Sequence, residues 1–507
     1  MVVGIDVGGT NTDAAIVGEE ISTVKLPNEL GLGDVLKKLS GMADLRNEKL
    51  IVSTSLPLNL LLSKYYEIPT FVLLVPGCGL NYTSYGKILR GFVNHRGDVV
   101  EDLDVEEVKK ALEEGRDADN LAIAAKFSVR NPSLEHYLYT IAKRYFDERS
   151  IALSHHIGEI NFPLRVNTTI INAKIRKTVY ELTDLIGKFA GDFFFYKGDG
   201  GVIPYQVALR NPSVLFNSSP AAVAVGAYYL AREKNALVVD IGGTTTDFVV
   251  LEDGKPKIVD KIEIAGMKTL IRCVDSVSLP FGGDSAVENF SLRPIRLGKP
   301  IAFGGEHFTL TDALNCVGFD IGNAKASREA GKELFENIAD AERIVEKYVS
   351  MIADSVREME AEKIVGTGFL AKYLIPMIAK EAGVGYVVPE HSEAANAVGV
   401  AVSRISLTLY ARFDTETGRV VYNGELEKCE FAQCKPGNIP SDEELIDLAM
   451  EKARKLAMSY GASPEDVEDV RLVYFNSYTV VRDGLKRGKI ADVVVQIEPG
   501  VSSDVVW

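Results

Sequence analysis

An eight-residue pattern occurs twice in this chain, and no other feature narrows the possible folds as much. Asp6-Val7-Gly8-Gly9-Thr10-Asn11-Thr12-Asp13 and Asp240-Ile241-Gly242-Gly243-Thr244-Thr245-Thr246-Asp247 both read D-x-G-G-T-x-T-D. Apolar or β-branched runs flank each copy: Val2 to Ile5 and Ala14 to Val17, then Ala236 to Val239 and Phe248 to Leu251. Such runs joined through a Gly-Gly turn predict β-hairpins, with the second aspartate of each copy on the returning strand. One copy alone is a weak signal and would read as an ordinary glycine-rich hairpin. Two copies a domain's length apart make coincidence a poor explanation.

The residue types suit one chemistry. Glycines leave no Cβ in the way, so backbone N–H groups can approach phosphate oxygens closely, and threonines add hydroxyl donors. An aspartate at a strand end can hold Mg²⁺ directly or through water, because that ion prefers hard oxygen ligands. Two such hairpins facing each other across a cleft would clamp a triphosphate from both sides. Lys363-Ile364-Val365 leads into Gly366-Thr367-Gly368 and then the helical run Phe369 to Ala382. This strand, glycine turn and helix could present backbone to an adenosine, and a plain strand-to-helix turn is the equal alternative. The small-residue runs Pro220 to Ala227 and Ser392 to Ala401 each contain a glycine and read as packing helices.

Composition removes several function classes. Of the 507 residues, 46% are hydrophobic and 25% charged, the balance of a globular chain with about three compact units. The formal charge of −15 repels phosphate backbones and anionic membranes, which excludes broad nucleic-acid or membrane binding. The five cysteines are scattered with no C-x-x-C pair, so neither a disulfide framework nor a zinc ribbon is expected. The first residues show no secretory signal and no run of apolar residues is long enough to span a bilayer, so a cytoplasmic protein is expected.

The paired hairpins, the two Ala/Gly-rich helices and the late G-T-G turn resemble the actin-like ATPase superfamily. More narrowly, the order of segments is similar to the A-type subunit of the hydantoinase/oxoprolinase family, in a short form. Beyond Val3 to Asp13, Ser53-Thr54-Ser55-Leu56-Pro57-Leu58-Asn59-Leu60-Leu61-Leu62 resembles its T-T-x-x-x-N-A-L-L segment. Ser154-His155-His156-Ile157 stands where the family often has S-H-E-[IV], with His156 replacing the glutamate. Ser218-Ser219-Pro220-Ala221-Ala222 is similar to S-G-P-A-G. Phe281-Gly282-Gly283-Asp284-Ser285 and Thr309-Leu310-Thr311-Asp312-Ala313 resemble G-G-G-S and T-V-T-D-A, with Asp284 interrupting the glycines. The resemblance covers roughly residues 1–403.

The resemblance implies an α/β fold of two ribonuclease-H-like halves around a nucleotide cleft, residues 1–178 and 179–403, followed by a small α+β C-terminal domain, 404–507. It implies ATP and Mg²⁺ as cofactors. Asp6 and Asp240 would position the metal. Gly8, Gly9, Thr10, Asn11, Gly242, Gly243, Thr244 and Thr245 would hold phosphates. Gly282, Gly283, Gly366, Thr367 and Gly368 would line the nucleoside. Asp247 would orient a metal-bound water or the attacking group, with Asp13 tying its own turn. The implied activity is ATP-dependent hydrolysis of a cyclic amide or imide of the hydantoin or 5-oxoproline type, by phosphorylation of the amide oxygen. A B-type partner subunit would serve the hydrolytic step, and homo-oligomerisation stays open. The alternatives are a non-metabolic actin-like ATPase switch of the chaperone or reactivating kind, and a small-molecule kinase.

The remaining features are read blandly. His155 and His156 are the only neighbouring pair of the six histidines, and adjacent imidazoles point apart, so a loop beside the cleft is the simpler reading. The loop Gly77 to Tyr82 follows a strand and could touch substrate, but Cys78 has no evident base. Apolar positions from Leu334 to Val356 recur at helical spacing and predict one long amphipathic helix over 329–360. In the tail, Leu407 to Phe413 and Arg419 to Tyr422 predict a hairpin. Ser441 to Glu444 predicts a capping box, and Val470 to Val481 and Ile490 to Ile497 predict strands. No catalytic constellation is read in that tail, and a packing or subunit-contact role is expected for it.

Overall fold

A computed structural model describes residues 1–8, 11–27, 31–335, 337–429, 432 and 435–505. Two mixed sheets share one strand order. In the first half, Ile21–Pro27, Asn11–Val17, Val2–Val7, Lys49–Thr54 and Phe194–Tyr196 lie side by side, with Val202–Pro204 at the edge. In the second half the order is Lys255–Pro256, Thr246–Glu252, Ala236–Ile241, Lys363–Thr367 and Gly385–Val387. In both, a hairpin strand runs antiparallel to the first strand while the fourth runs parallel to it. These are two ribonuclease-H-like halves. Their first strands are apolar on both faces and lie mid-sheet, because helices cover both sides.

The connection between Lys49–Thr54 and Phe194–Tyr196 holds a second, smaller sheet in which Thr70–Val75, Asn120–Ala125 and Ile151–Leu153 run parallel. The 25-residue helix Phe162–Ile186 returns the chain to the first sheet. The boundary expected at 178 falls inside that helix. Sheet pairing carries the first half on to about residue 204, because Phe194–Tyr196 pairs with the Lys49–Thr54 strand.

Helices Ser218–Ala231 and Ala395–Val402 cross between the halves. A Cβ on Gly226 would lie 1.8 Å from the Ala395 carbonyl oxygen, and one on Gly399 would lie 1.9 Å from that of Ala222. Only glycine permits this approach, so the packing role expected for these helices is what forms. The single helix expected over 329–360 is instead two, Ala324–Leu334 and Ile338–Glu358. Phe335 leaves the helical path at φ −110°, ψ 141° to pack edge-on against the Phe308 ring. Asn337 then opens the second helix in extended geometry.

After residue 404 the chain forms a five-stranded antiparallel sheet backed by Asp442–Ser459, whose N-terminus is a Ser441/Glu444 capping box. Its apolar face does not close on itself. Leu407, Leu409, Phe413, Val493 and Val495 belong to the same buried cluster as Val238 and Val249 of the second half and Ile51 and Tyr196 of the first. Cys429 is disulfide-bonded, which the scattered cysteine count gave no reason to expect, whereas Cys78, Cys273 and Cys316 are free. No described helix is long and apolar enough to cross a membrane.

Candidate active site

Both copies of the repeated pattern form the same turn. Asp6 pairs with Asp13 and Val7 with Thr12, and the Gly8 amide donates to the Asn11 carbonyl at 3.1 Å. Asp240 pairs with Asp247 and Ile241 with Thr246, and the Gly242 amide donates to the Thr245 carbonyl at 3.0 Å. Gly9 and Thr10 lie outside the described residues. Gly8, Asn11, Gly242, Gly243 and Thr245 are half-buried and Thr244 is exposed, so the second tip is open to solvent at Thr244 while its aspartates sit deeper.

Asp6 is 2% exposed. Its Oδ2 accepts from Ser219 Oγ at 2.5 Å and from Asn396 Nδ2 at 2.9 Å, while Oδ1 has no hydrogen-bond partner among the described residues. The same Asn396 amide donates to Asp13 Oδ2 at 3.0 Å, and Lys25 stands 3.0 Å from Asp13 Oδ1. Asp13 therefore ties Asn396 and Lys25 into the site. The turn itself is closed by backbone, so the expectation that Asp13 secures its own turn does not hold. Burial, with the neighbouring Asp13 charge, raises the Asp6 pKa against the hydrogen bonds that favour its charged form.

Asp240 Oδ1 accepts from Thr367 Oγ1 at 2.7 Å. Burial, then the Asp247 charge, raises the Asp240 carboxyl to about 6, opposed by the Thr367 hydrogen bond. The Lys25 ammonium lowers this pKa and the Asp13 carboxylate raises it further. Groups on the first hairpin and its neighbouring strand thus lie close enough to the second to act on it electrostatically. Asp247 accepts from Thr245 Oγ1 at 3.1 Å and is raised mainly by burial.

The residues expected around the nucleoside divide. Gly282 and Gly283 are buried behind the second hairpin: the Gly283 amide donates to the Gly242 carbonyl at 3.0 Å, and that of Asp284 to Gly243 at 2.7 Å. These backbone bonds brace the tip of the hairpin. Gly366 and Thr367 are also buried, Gly366 against Ile375, and Thr367 serves to position Asp240. Gly368 alone of the three is half-buried, with φ +90° and its amide bonded to the Ser392 carbonyl.

Three residues of this site were not anticipated. Lys25 stands opposite Asp13 on the third strand. Ser219 opens a helix treated as packing. Asn396 was visible as the one amide in an otherwise small and apolar run, Ala394 to Ala401, a place where a polar side chain needs a partner. Among the described residues the site presents four carboxylates, Asp6, Asp13, Asp240 and Asp247, with the ammonium of Lys25 beside them. A polyphosphate would be repelled from such a cleft unless a divalent cation came with it. The buried Oδ1 of Asp6, without a hydrogen bond, is free to meet that cation or its waters, so the residues present fit Mg²⁺.

Comparison with known proteins agrees with this fold. No curated protein sequence gives a match. Among solved structures, a nucleotide-free acetone carboxylase, from a system of ATP-dependent acetone carboxylation, is similar at TM-score 0.70 and 16% identity. That likeness covers 98% of this chain and 87% of the other. An ATP-dependent caprolactamase from Pseudomonas jessenii is similar at TM-score 0.64 and 16% identity, covering 97% and 86%. The family model described as Hydantoinase/oxoprolinase matches residues 165–408, which include the Asp240 hairpin and Asn396 but not the Asp6 hairpin. Over residues 165–408 the chain is similar to the hydantoinase/oxoprolinase family.

Proposed function

We propose that this protein is an ATP-dependent enzyme that phosphorylates the carbonyl oxygen of a cyclic amide or imide, of the hydantoin or 5-oxoproline type. The observation that carries this reading is the pair of hairpins of matching sequence and register, near enough for charges of the first to act on Asp240 of the second. Asn396 spans Asp6 and Asp13, while Lys25 and Asp13 act on Asp240. The choice of substrate class is supported by the matched family and by what the two similar structures act on: acetone and a lactam both offer a carbonyl oxygen.

Asp6 and Asp240 would hold Mg²⁺, and the backbone amides and hydroxyls of Gly8 to Asn11 and Gly242 to Thr245 would hold the phosphates. The cation would neutralise charge on the polyphosphate as the terminal phosphoryl group moves. Thr367 fixes the Asp240 carboxylate, and Ser219 with Asn396 fixes that of Asp6, so neither must reorganise during transfer. Asp247, held by Thr245, orients the group that attacks. Gly368, half-buried next to Thr367, would form part of the expected nucleoside wall.

The chemistry balances simply. The amide oxygen takes the terminal phosphoryl group of ATP, ADP leaves, and the amide carbon becomes electrophilic. Water adds to that carbon, the ring C–N bond breaks with the nitrogen taking a proton, and a second water releases phosphate. Net products are the ring-opened acid, ADP and phosphate. The ring-opening half is where a B-type partner subunit would act.

The test is ADP and phosphate release with and without hydantoin, 5-oxoproline and caprolactam. Stimulation by at least one of them is expected. Turnover indifferent to every carbonyl compound but raised by a protein would instead indicate an ATPase switch, and a stable phosphoester product would indicate a hydroxyl kinase.

A further inference from the structure

A second cluster of ligating side chains lies between the first half and the C-terminal sheet, in the part of the molecule where no chemistry was expected. His136 comes from the helix Ser133–Ala142, His155 from the short 3₁₀ turn Ser154–Ile157, and Glu425 from the first position of the strand Glu425–Lys428. One ligand atom from each falls within 4.8 Å of the others. His155 Nε2 is 3.4 Å from Glu425 Oε1, and His136 Nε2 is 3.5 Å from Glu425 Oε2.

Those separations have a meaning. Zinc bonds to histidine nitrogen and carboxylate oxygen are about 2.0–2.2 Å long, so neighbouring ligands of a tetrahedral site stand about 3.3–3.6 Å apart. Each histidine nitrogen stands at such a distance from one oxygen of the Glu425 carboxylate, His155 from Oε1 and His136 from Oε2. His136 is exposed, so its imidazole can shift to close the remaining edge.

The surroundings of His155 match what a metal-binding histidine needs. Its ring is fully buried, and Nε2 has no hydrogen-bond partner among the described residues. Its Nδ1 is 2.7 Å from Glu135 Oε2. Glu135 is itself fully buried and held by the amides of Ala125 and His155 and by Ser154 Oγ. A carboxylate on one ring nitrogen fixes the tautomer and turns the other lone pair toward a metal. Glu425 is brought there by the turn Asn423-Gly424, in which both residues have positive φ. A Cβ on Gly424 would lie 2.3 Å from the His155 carbonyl oxygen, so the turn is seated directly on the histidine.

We propose that His136, His155 and Glu425 bind a divalent transition metal of the zinc class, which pins the C-terminal module to the first half. Two imidazoles and one carboxylate form a borderline donor set that favours such ions over Mg²⁺. The site is remote in sequence from the hairpin aspartates and shares no residue with them.

The experiment uses the full chain, stripped with chelator and kept in excess Mg²⁺. Zinc binding is followed by calorimetry, and cobalt binding by its visible ligand-field spectrum. One zinc per chain is expected, together with a rise in melting temperature, since the ion binds only the folded form. His136→Ala, at an exposed position, and Glu425→Gln should each weaken binding at least tenfold, and Glu135→Gln by about 10–100-fold. Asp240→Ala should bind zinc as the unaltered chain does. The proposal is overturned if the unaltered chain takes up no zinc at about 100 μM. It is equally overturned if both His136→Ala and Glu425→Gln bind normally, or if Asp240→Ala removes the binding.

Discussion

Asp240 combines two demands that conflict in the free protein. Its carboxylate is desolvated and faces Asp247, which raises it to about 6, yet ionised is the form that would hold a cation. A carboxyl raised in the folded state favours folding when protonated. That advantage is present at low pH and is lost as pH rises from the unfolded value through about 6. At pH 7.5 the ionised group therefore costs the metal-free fold about 1–3 kcal/mol. Asp240→Asn keeps the acceptor for Thr367 and removes the charge. We expect it to melt higher than the parent above pH 7 without metal, to match it near pH 4, and to lose nucleotide turnover. Thermal melts across that range check the sign, and a variant less stable at pH 7.5 would contradict it. At this scale the sequence displayed the carboxylates but not their partners. Asp6, Asp13, Asp240 and Asp247 stand in a repeated pattern, whereas Ser219, Lys25 and Asn396 reach them only through tertiary packing.

The hairpins were legible as elements because each is local, with strand, turn and return strand all within 16 residues. The tail elements were legible for the same reason, since capping boxes and alternating strands are written in short windows. The helix expected over 329–360 failed where a long-range contact competed with periodicity: Phe335 sits in register for a helix but packs on Phe308. The same locality limits what can be read for Gly282, Gly283 and Gly366. A glycine-rich turn looks alike whether its backbone faces a ligand or another strand, and here it faces Gly242 and Ile375. The crossing of Ser218–Ala231 with Ala395–Val402 carries a prediction of its own. Because Ala395 carries its neighbour Asn396 into the cleft, Gly226→Val should both destabilise the fold by about 3 kcal/mol and impair turnover. Denaturant unfolding and phosphate release read the two effects. A stable, fully active variant would show that the helices do not set the cleft.

Across the whole molecule, the C-terminal module is part of the core and part of the lobe contact. Its strands share a buried cluster with both halves, and the Ser502 amide bonds to the Val402 carbonyl at 2.8 Å. Arg96 makes a two-pronged contact with Asp414 at 2.9 and 3.0 Å, and Arg419 pairs with Asp98. A chain ending at residue 404 should therefore aggregate or melt well below the full protein. A soluble truncation of unchanged melting temperature would contradict the shared core. Composition could not show this, because the tail's own apolar pattern is that of any self-contained α+β unit. The His136, His155 and Glu425 cluster was hidden for a related reason: its ligands are far apart in sequence and meet only when the tail docks.

The central claim is that the two hairpins act on one polyphosphate. It is tested most directly by phosphate release from ATP, under lactam stimulation, in Asp6→Ala and Asp240→Ala measured separately. Each substitution alone should lower turnover by about 10²-fold or more while circular dichroism stays that of the parent. Full turnover in either variant would mean that its hairpin does not take part, and the shared cleft would have no catalytic role.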